Sequence, residues 1–250
     1  MAAFAAAARI VRKLPPMNRR QWNRLAKKFE SEACDISREE SGAQVGRYVA
    51  LAKIPRRGAM LADLGCGVGT FIARYGARFS RVAGVEYAGD IVARARERCA
   101  HVDNVTWHAT GIVRAARRIG RRAHLTVCMN VITSSNAATR AALWRSLAAV
   151  TRRGGHALVV VPSLESDDMV EQTADPGRRR RRRRRGLVRR SGALQKHFTR
   201  DELIAALARA GFKPRRIGRA RYPWSIEGMR ETPRRRKNRP WDWIVLAKRM

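Results

Sequence analysis

The chain has 250 residues, a formal charge of +34, and 45% hydrophobic against 30% charged residues, enough for one substantial core and most simply one domain with extensions. Apolar runs such as residues 157–161 fall far short of the roughly 20 residues that cross a bilayer, so no transmembrane segment is expected. The four cysteines, Cys34, Cys66, Cys99 and Cys128, are scattered, which argues against a zinc site or a disulfide framework and fits buried thiols in a reducing compartment.

Residues 1–28 contain no acid, several Arg and Lys, and an Ala-rich amphipathic stretch, the outline of a mitochondrial transit peptide. They also lack serine, and Met17 opens a segment, Met-Asn-Arg-Arg-Gln-Trp, that reads like a natural start. Residues 1–18 are therefore expected to be a basic, disordered extension of a cytoplasmic protein, with the mitochondrial matrix as the alternative location. Residues 21–31 have helical spacing with Trp22, Leu25, Ala26 and Phe29 on one face, and 41–51 form a second predicted helix. A turn, Pro55-Arg56-Arg57-Gly58, follows.

Residues 59–72 read Ala-Met-Leu-Ala-Asp-Leu-Gly-Cys-Gly-Val-Gly-Thr-Phe-Ile: an apolar strand ending in an acid, a tight loop, then a helix from Thr70. Gly65, Gly67 and Gly69 let the backbone bend sharply and let a ligand approach without meeting a Cβ. Residues 81–87, Arg-Val-Ala-Gly-Val-Glu-Tyr, form a second buried strand ending in Glu86. An acid roughly 20 residues beyond a glycine loop is where a nucleotide-binding α/β fold holds ribose hydroxyls, so adenosine recognition leads. Dinucleotide folds use G-x-G-x-x-G, with pyrophosphate on a helix N-terminus, whereas this chain has G-x-G-x-G after Asp63. An acid there repels pyrophosphate and suits a cationic ligand carrying an amino group. A glycine turn with no ligand is the plain structural alternative.

The alternation then continues. Residues 90–100 are predicted helical, 104–107 begin a third strand, 112–119 form a basic helix and 125–131 a fourth strand. Residues 137–150 form a long helix ended by Gly154-Gly155, and 156–161 a fifth strand stopped by Pro162. This β-α order predicts a doubly wound, mainly parallel sheet. Residues 163–196 carry the arginine run without a periodic core face and are expected to be a mobile insertion in a single domain over 19–250. Thr199 and Glu202 then make a capping box for a helix through Ala210, closed by Gly211. Residues 212–222 and 241–248 are the sixth and seventh strands.

Arg178 to Arg185 is an unbroken run of eight arginines, extended by Arg189 and Arg190. Further basic clusters lie at 114–122 and 230–239, and residues 104–164 contain no Asp or Glu. Such a field attracts polyanions, RNA or anionic membrane surfaces among them; compositional drift towards Arg and Ala codons is the plain alternative. No aromatic residue interleaves with the run, so no base-stacking platform is visible there.

The hydrophobic-acid-hydrophobic-G-x-G-x-G segment at 61–69 resembles the first motif of the class I S-adenosylmethionine-dependent methyltransferases, and the resemblance spans residues 42–162 and 197–248. It implies a seven-stranded Rossmann-like sheet with an antiparallel last strand and S-adenosylmethionine as cofactor. By this resemblance Asp63 orders the methionine amino group, Gly65, Cys66, Gly67 and Gly69 form the floor beneath it, and Glu86 grips the ribose hydroxyls. Tyr87 packs on the adenine, while Met129 and Asn130 supply contacts after the fourth strand. The stretch 127–132 is loosely similar to ubiquinone-pathway O-methyltransferases, and Arg47 lies where such enzymes place an arginine near the cofactor carboxylate.

Three departures from the pattern stand out. The acid after the third strand, which binds the adenine amino group, is replaced by Thr110, whose carbonyl can still serve. The aspartate at the start of the fourth strand is His124. No Asn-Pro-Pro-Tyr type motif follows that strand, which disfavours nitrogen methylation by that route. His108, His124 and His197 are the histidines considered as bases, none singled out, and Trp224, Trp241 and Trp243 either line an acceptor pocket or pack in the core. The expected function is methyl transfer to a small-molecule acceptor. The alternative is an RNA-binding relative, either an rRNA methyltransferase or a ribonucleoprotein assembly factor, binding through Arg178–Arg190.

Overall fold

A computed structural model describes residues 19–29, 35–55, 57–177, 186–190 and 193–250. Alternating short strands and amphipathic helices build one sheet in the order β3-β2-β1-β4-β5-β9-β8. Its strands are β1 (Met60–Leu64), β2 (Arg81–Glu86), β3 (Val105–Ala109), β4 (Ala123–Met129), β5 (Thr151–Pro162), β8 (Phe212–Arg221) and β9 (Trp241–Arg249). β1 to β5 run parallel, and β9 lies antiparallel between β5 and β8. The order reverses between β1 and β4, the topological switch point where open α/β sheets bind ligands beyond the carboxyl ends of their strands. This is the sheet implied by the methyltransferase resemblance.

Strands buried on both faces read as continuous apolar runs, as Leu158–Val161 of β5 does, and two clusters of side chains flank the sheet. On one face Val45, Tyr48 and Val49 of α2 (Glu39–Leu51) and Phe71, Ile72 and Tyr75 of α3 (Thr70–Tyr75) pack on Leu61, Leu125 and Leu158. On the other, Ala115 of α5 (Ile112–Ile119), Leu147 of α6 (Ala137–Val150) and Leu203 of α8 (Arg200–Arg209) pack on Val85, Val159 and Val245. α1 (Arg19–Leu25) sits over α4 (Gly89–Arg98), with Ala26 and Ile91 in a third small cluster. Thr199 and Glu202 form the expected reciprocal cap of α8.

Several boundaries differ from the sequence reading. α1 gives way to a 3-10 turn at Ala26–Lys28. β4 ends at Met129 because Asn130 turns into the left-handed region, φ 55°. β5 starts at Thr151 and runs through Gly154-Gly155, since a register shift between Ala123 and Leu125 of β4 accommodates the glycines. Residues 163–196 contain α7 (Leu164–Ala174) and a hairpin of β6 (Leu187–Arg190) with β7 (Ala193–Lys196). α7 had a readable start: Ser163 accepts a hydrogen bond from the Ser166 amide, and Glu165 and Asp167 occupy the positive end of the helix. Residues 1–18 and Arg178–Arg185, with the expectations placed on them, lie outside the described residues. No described helix is long and apolar enough to cross a membrane.

Candidate functional site

The carboxyl ends of β1, β2 and β4 converge on the glycine loop. Gly65 (φ 82°), Gly67 (φ 52°) and Gly69 (φ 78°) all adopt left-handed backbone. The amides of Gly65 and Cys66 both donate to the Val85 carbonyl, at 2.8 and 3.0 Å, which clips the loop to β2. The Gly69 amide donates to the Cys66 carbonyl at 2.9 Å and opens α3. A Cβ on Gly65 would collide with Val131, and one on Gly67 would stand 2.8 Å from the Phe29 ring. Backbone conformation and crowding therefore both demand glycine at these two positions.

Two carboxylates flank the loop. Asp63 is 3% exposed, and its Oδ2 has no hydrogen-bond partner among the described residues. Burial, then the negative charges of Asp35 and Glu86, push its pKa up to about 8. Glu86 is also buried, which raises its pKa. Its Oε1 accepts from the amides of Tyr87 (2.8 Å) and Ala88 (3.1 Å), and these bonds, with one from Gly67, partly offset the effect of burial. The same burial and the two acids hold the Cys66 thiol far above its usual range, so it is an inert wall. A buried acid with an open lone pair beside a second, fixed acid is chemically suited to a ligand that brings positive charge and hydrogen-bond donors.

A cleft beside Asp63 is lined by Phe29, Asp35, Ser37, Met129 and Asn130 along with the loop. Asn130 Nδ2 donates to Asp242 Oδ2 at 2.8 Å, tying the end of β4 to β9, while Asn130 Oδ1 is buried and accepts no bond among the described residues. Tyr87 follows Glu86 directly, and its phenol is pushed up to about 12 by burial and by Glu86. Thr110 stands one residue past Ala109, the β3 partner of Glu86.

Arg47 is not brought to this place: it is exposed on α2, whose buried positions are Val45, Tyr48 and Val49. Phe29, Asp35, Ser37, Val131 and Asp242 are cleft or supporting residues that the sequence reading did not assign to the site. A single signal could have found Asp35, since the Asp-Ile-Ser run preceding α2 forms a local turn in which the Ser37 amide donates to Asp35 Oδ1 at 2.9 Å.

The histidines separate by position. His124 sits at the opposite end of β4, where its Nδ1 accepts from the Met60 amide at 3.1 Å, a structural role. His108 lies on β3 beside Val85. His197 is buried with its Nδ1 4.0 Å from Asp167 Oδ1, next to the bridge that joins Gln195 to Ser134. The tryptophans pack in the core: Trp224 Nε1 donates to the Arg235 carbonyl at 2.7 Å, and Trp243 Nε1 to Glu165 and to the Phe198 carbonyl at 3.2 Å.

Residues 61–155 match a family model described as a methyltransferase domain. No curated protein matches the sequence. Among solved structures, the chain is similar to magnesium protoporphyrin IX methyltransferase from Synechocystis PCC 6803 with bound SAH, at 15% identity over 98% of this chain and 94% of that one, TM-score 0.59. It is similar to the N-methyltransferase NodS from Bradyrhizobium japonicum WM9 with SAH, at 11% identity over 91% and 98%, TM-score 0.61. It is also similar to geranyl diphosphate C-methyltransferase from Streptomyces coelicolor A3(2), at 14% identity over 84% and 77%, TM-score 0.57. At such identities the likeness establishes the fold.

Proposed function

Because the chain carries a methyltransferase domain of the class I S-adenosylmethionine-dependent fold, we propose that it transfers a methyl group from S-adenosylmethionine to a small-molecule acceptor. One observation carries the reading: in a protein of net charge +34, the buried Asp63 carboxyl keeps one oxygen without a hydrogen-bond partner among the described residues. That is a site built to receive a cation. The cofactor brings an ammonium and a sulfonium whose methyl group is electrophilic.

The residues fit that group. Asp63 Oδ2 would accept from the amino group, and Glu86, held by the Tyr87 and Ala88 amides at Oε1, has Oε2 for the ribose hydroxyls. The loop from Gly65 to Gly69 leaves room for the methionine moiety, with Tyr87 and Thr110 on the adenine side. Met129 and Asn130 close the cleft towards β9, where an acceptor would lie. Methyl transfer is an in-line displacement, so positioning the nucleophile is the main task of such walls. Solved neighbours named for porphyrin and geranyl diphosphate methylation support the small-molecule reading. The RNA reading rested on Arg178–Arg190, most of which lies outside the described residues, and it gains no support.

Calorimetry with S-adenosylmethionine tests cofactor binding: saturable heat is expected, and no heat or thermal shift up to millimolar ligand would overturn it. Labelled-methyl transfer to fractions of a host extract tests the acceptor class. Label in the low-molecular-weight fraction supports a small molecule, whereas label that precipitates with RNA overturns it.

A further inference from the structure

At the other end of the sheet a second cavity of about 310 Å³ opens between the start of β5, the start of β8 and the end of β9, lined by Gly154, Lys213, Arg215, Lys248, Arg249 and Met250. Lys213 is the direct cross-strand partner of Lys248. Like charges directly opposite in a sheet are destabilising, so this pair is tolerated rather than favoured by the fold. Arg215 is the extra residue where the register shifts between Pro214 and Arg216, a device that re-aims a side chain. Arg249 points to the opposite face of the sheet from Lys248 and is fixed there: Nη1 donates to the Ala210 and Gly211 carbonyls at 3.2 and 2.7 Å, and its buried Nε has no partner among the described residues. Arg121 and Arg153 are close enough to lower the Arg249 pKa further, and His156, cross-strand from Lys248, is lowered by burial and by Lys248 and Arg215.

No acid is near in sequence. The strand segments that meet here, 151–156, 212–216 and 246–250, contain no Asp or Glu. We propose that this cavity binds a multivalent phosphate anion, such as a free polyphosphate or a lipid phosphomonoester headgroup, through Lys213, Arg215 and Lys248. The Arg215 guanidinium and two point-charge lysines beside one concavity are the donors such oxygens take. The site lies at the amino ends of the parallel strands, away from the glycine loop, and does not depend on the methyl-transfer reading.

Inorganic tripolyphosphate titrated into the full chain tests it, with Lys213→Gln and Lys248→Gln as variants and Arg117→Gln on the exposed face of α5 as the control. Saturable binding is expected, weakened about tenfold by each cavity variant and little by the control. Lys213→Gln should also raise the anion-free melting temperature by about 1–3 °C, because it removes the like-charge pair. Phosphatidylcholine vesicles carrying phosphatidic acid are the second arm. Retention sensitive to the cavity variants supports the same chemistry with a lipid source. Equal weakening by the α5 control, binding of an RNA oligomer without competition by tripolyphosphate, or no binding of either phosphate probe would overturn the proposal.

Discussion

The two edges of one sheet are opposites. At the carboxyl edge Asp63, Glu86 and Asp242 are buried, and the environment pushes Asp63 towards its neutral form. At the amino edge Lys213, Arg215, Lys248 and Arg249 surround a cavity with no side-chain acid among its lining residues. The chain has 54 Lys and Arg, so supply does not explain why none among the described residues hydrogen-bonds the buried Asp63 Oδ2. Burying an acid and leaving it unneutralised costs stability, and a fold keeps that cost where a ligand relieves it. The contrast teaches that net charge describes neither edge: each is legible only from which residues the topology brings to it.

Breaking the carboxyl edge should have the largest effect. Glu86→Ala would remove the proposed acceptor of two ribose hydroxyl hydrogen bonds, each to a charged group and worth about 1.5–3 kcal/mol, so S-adenosylmethionine affinity should fall about 100-fold or more. Calorimetry reads this directly, and equal affinity in variant and parent would move the ribose elsewhere. Gly65→Ala places a Cβ against Val131 at φ 82°. Left-handed backbone costs a non-glycine residue about 1–2 kcal/mol. The melting temperature should therefore drop by about 2–8 °C, and cofactor binding should weaken with it.

Asp63 sharpens the comparison through pH. An acid whose pKa is raised on folding holds its proton more tightly in the folded chain. Its contribution to stability therefore falls as pH rises from the ordinary aspartate range, near 4, to about 8. Asp63→Asn removes that charge, so the cofactor-free variant should melt several degrees higher than the parent, by about 3–6 °C at pH 8, and no higher at pH 4. The same variant should bind S-adenosylmethionine more weakly. Near pH 6.5 the ammonium would ionise Asp63 on binding and release about one proton, seen as a heat that depends on the ionisation enthalpy of the buffer. A melting difference independent of pH would show that Asp63 is ionised without the ligand.

Much of this was readable in advance, because the signals were local. The apolar run into Asp63, three glycines and Glu86 at the end of the next strand fix a strand-loop-helix-strand unit with little tertiary input, and the α8 capping box is written in four consecutive residues. What escaped was non-local. Phe29 meets Gly67 across 38 positions, Asp242 reaches Asn130 across 112, and the phosphate cavity joins strands whose basic residues are scattered among many others. α7 was obscured by its neighbour: the arginine run dominates the composition of 163–196, although Ser163 and two acids mark the start of the helix.

Arg47 gives the smallest expected effect and the most direct check on the surroundings of Asp63. The family pattern suggested a cation at the cofactor carboxylate, but here the residue is exposed on α2 while the neighbouring Val45 and Tyr48 turn inward. An exposed guanidinium is screened over about 8–10 Å at physiological salt, and a surface ion pair is worth about 0–1 kcal/mol. Arg47→Ala should therefore change S-adenosylmethionine affinity by less than about threefold, with the same salt dependence as the parent. A tenfold loss would mean that α2 turns this side chain into the cleft when the ligand enters. A cation would then reach the cleft beside Asp63 in the bound state, and the contrast with the amino edge would hold only for the free protein.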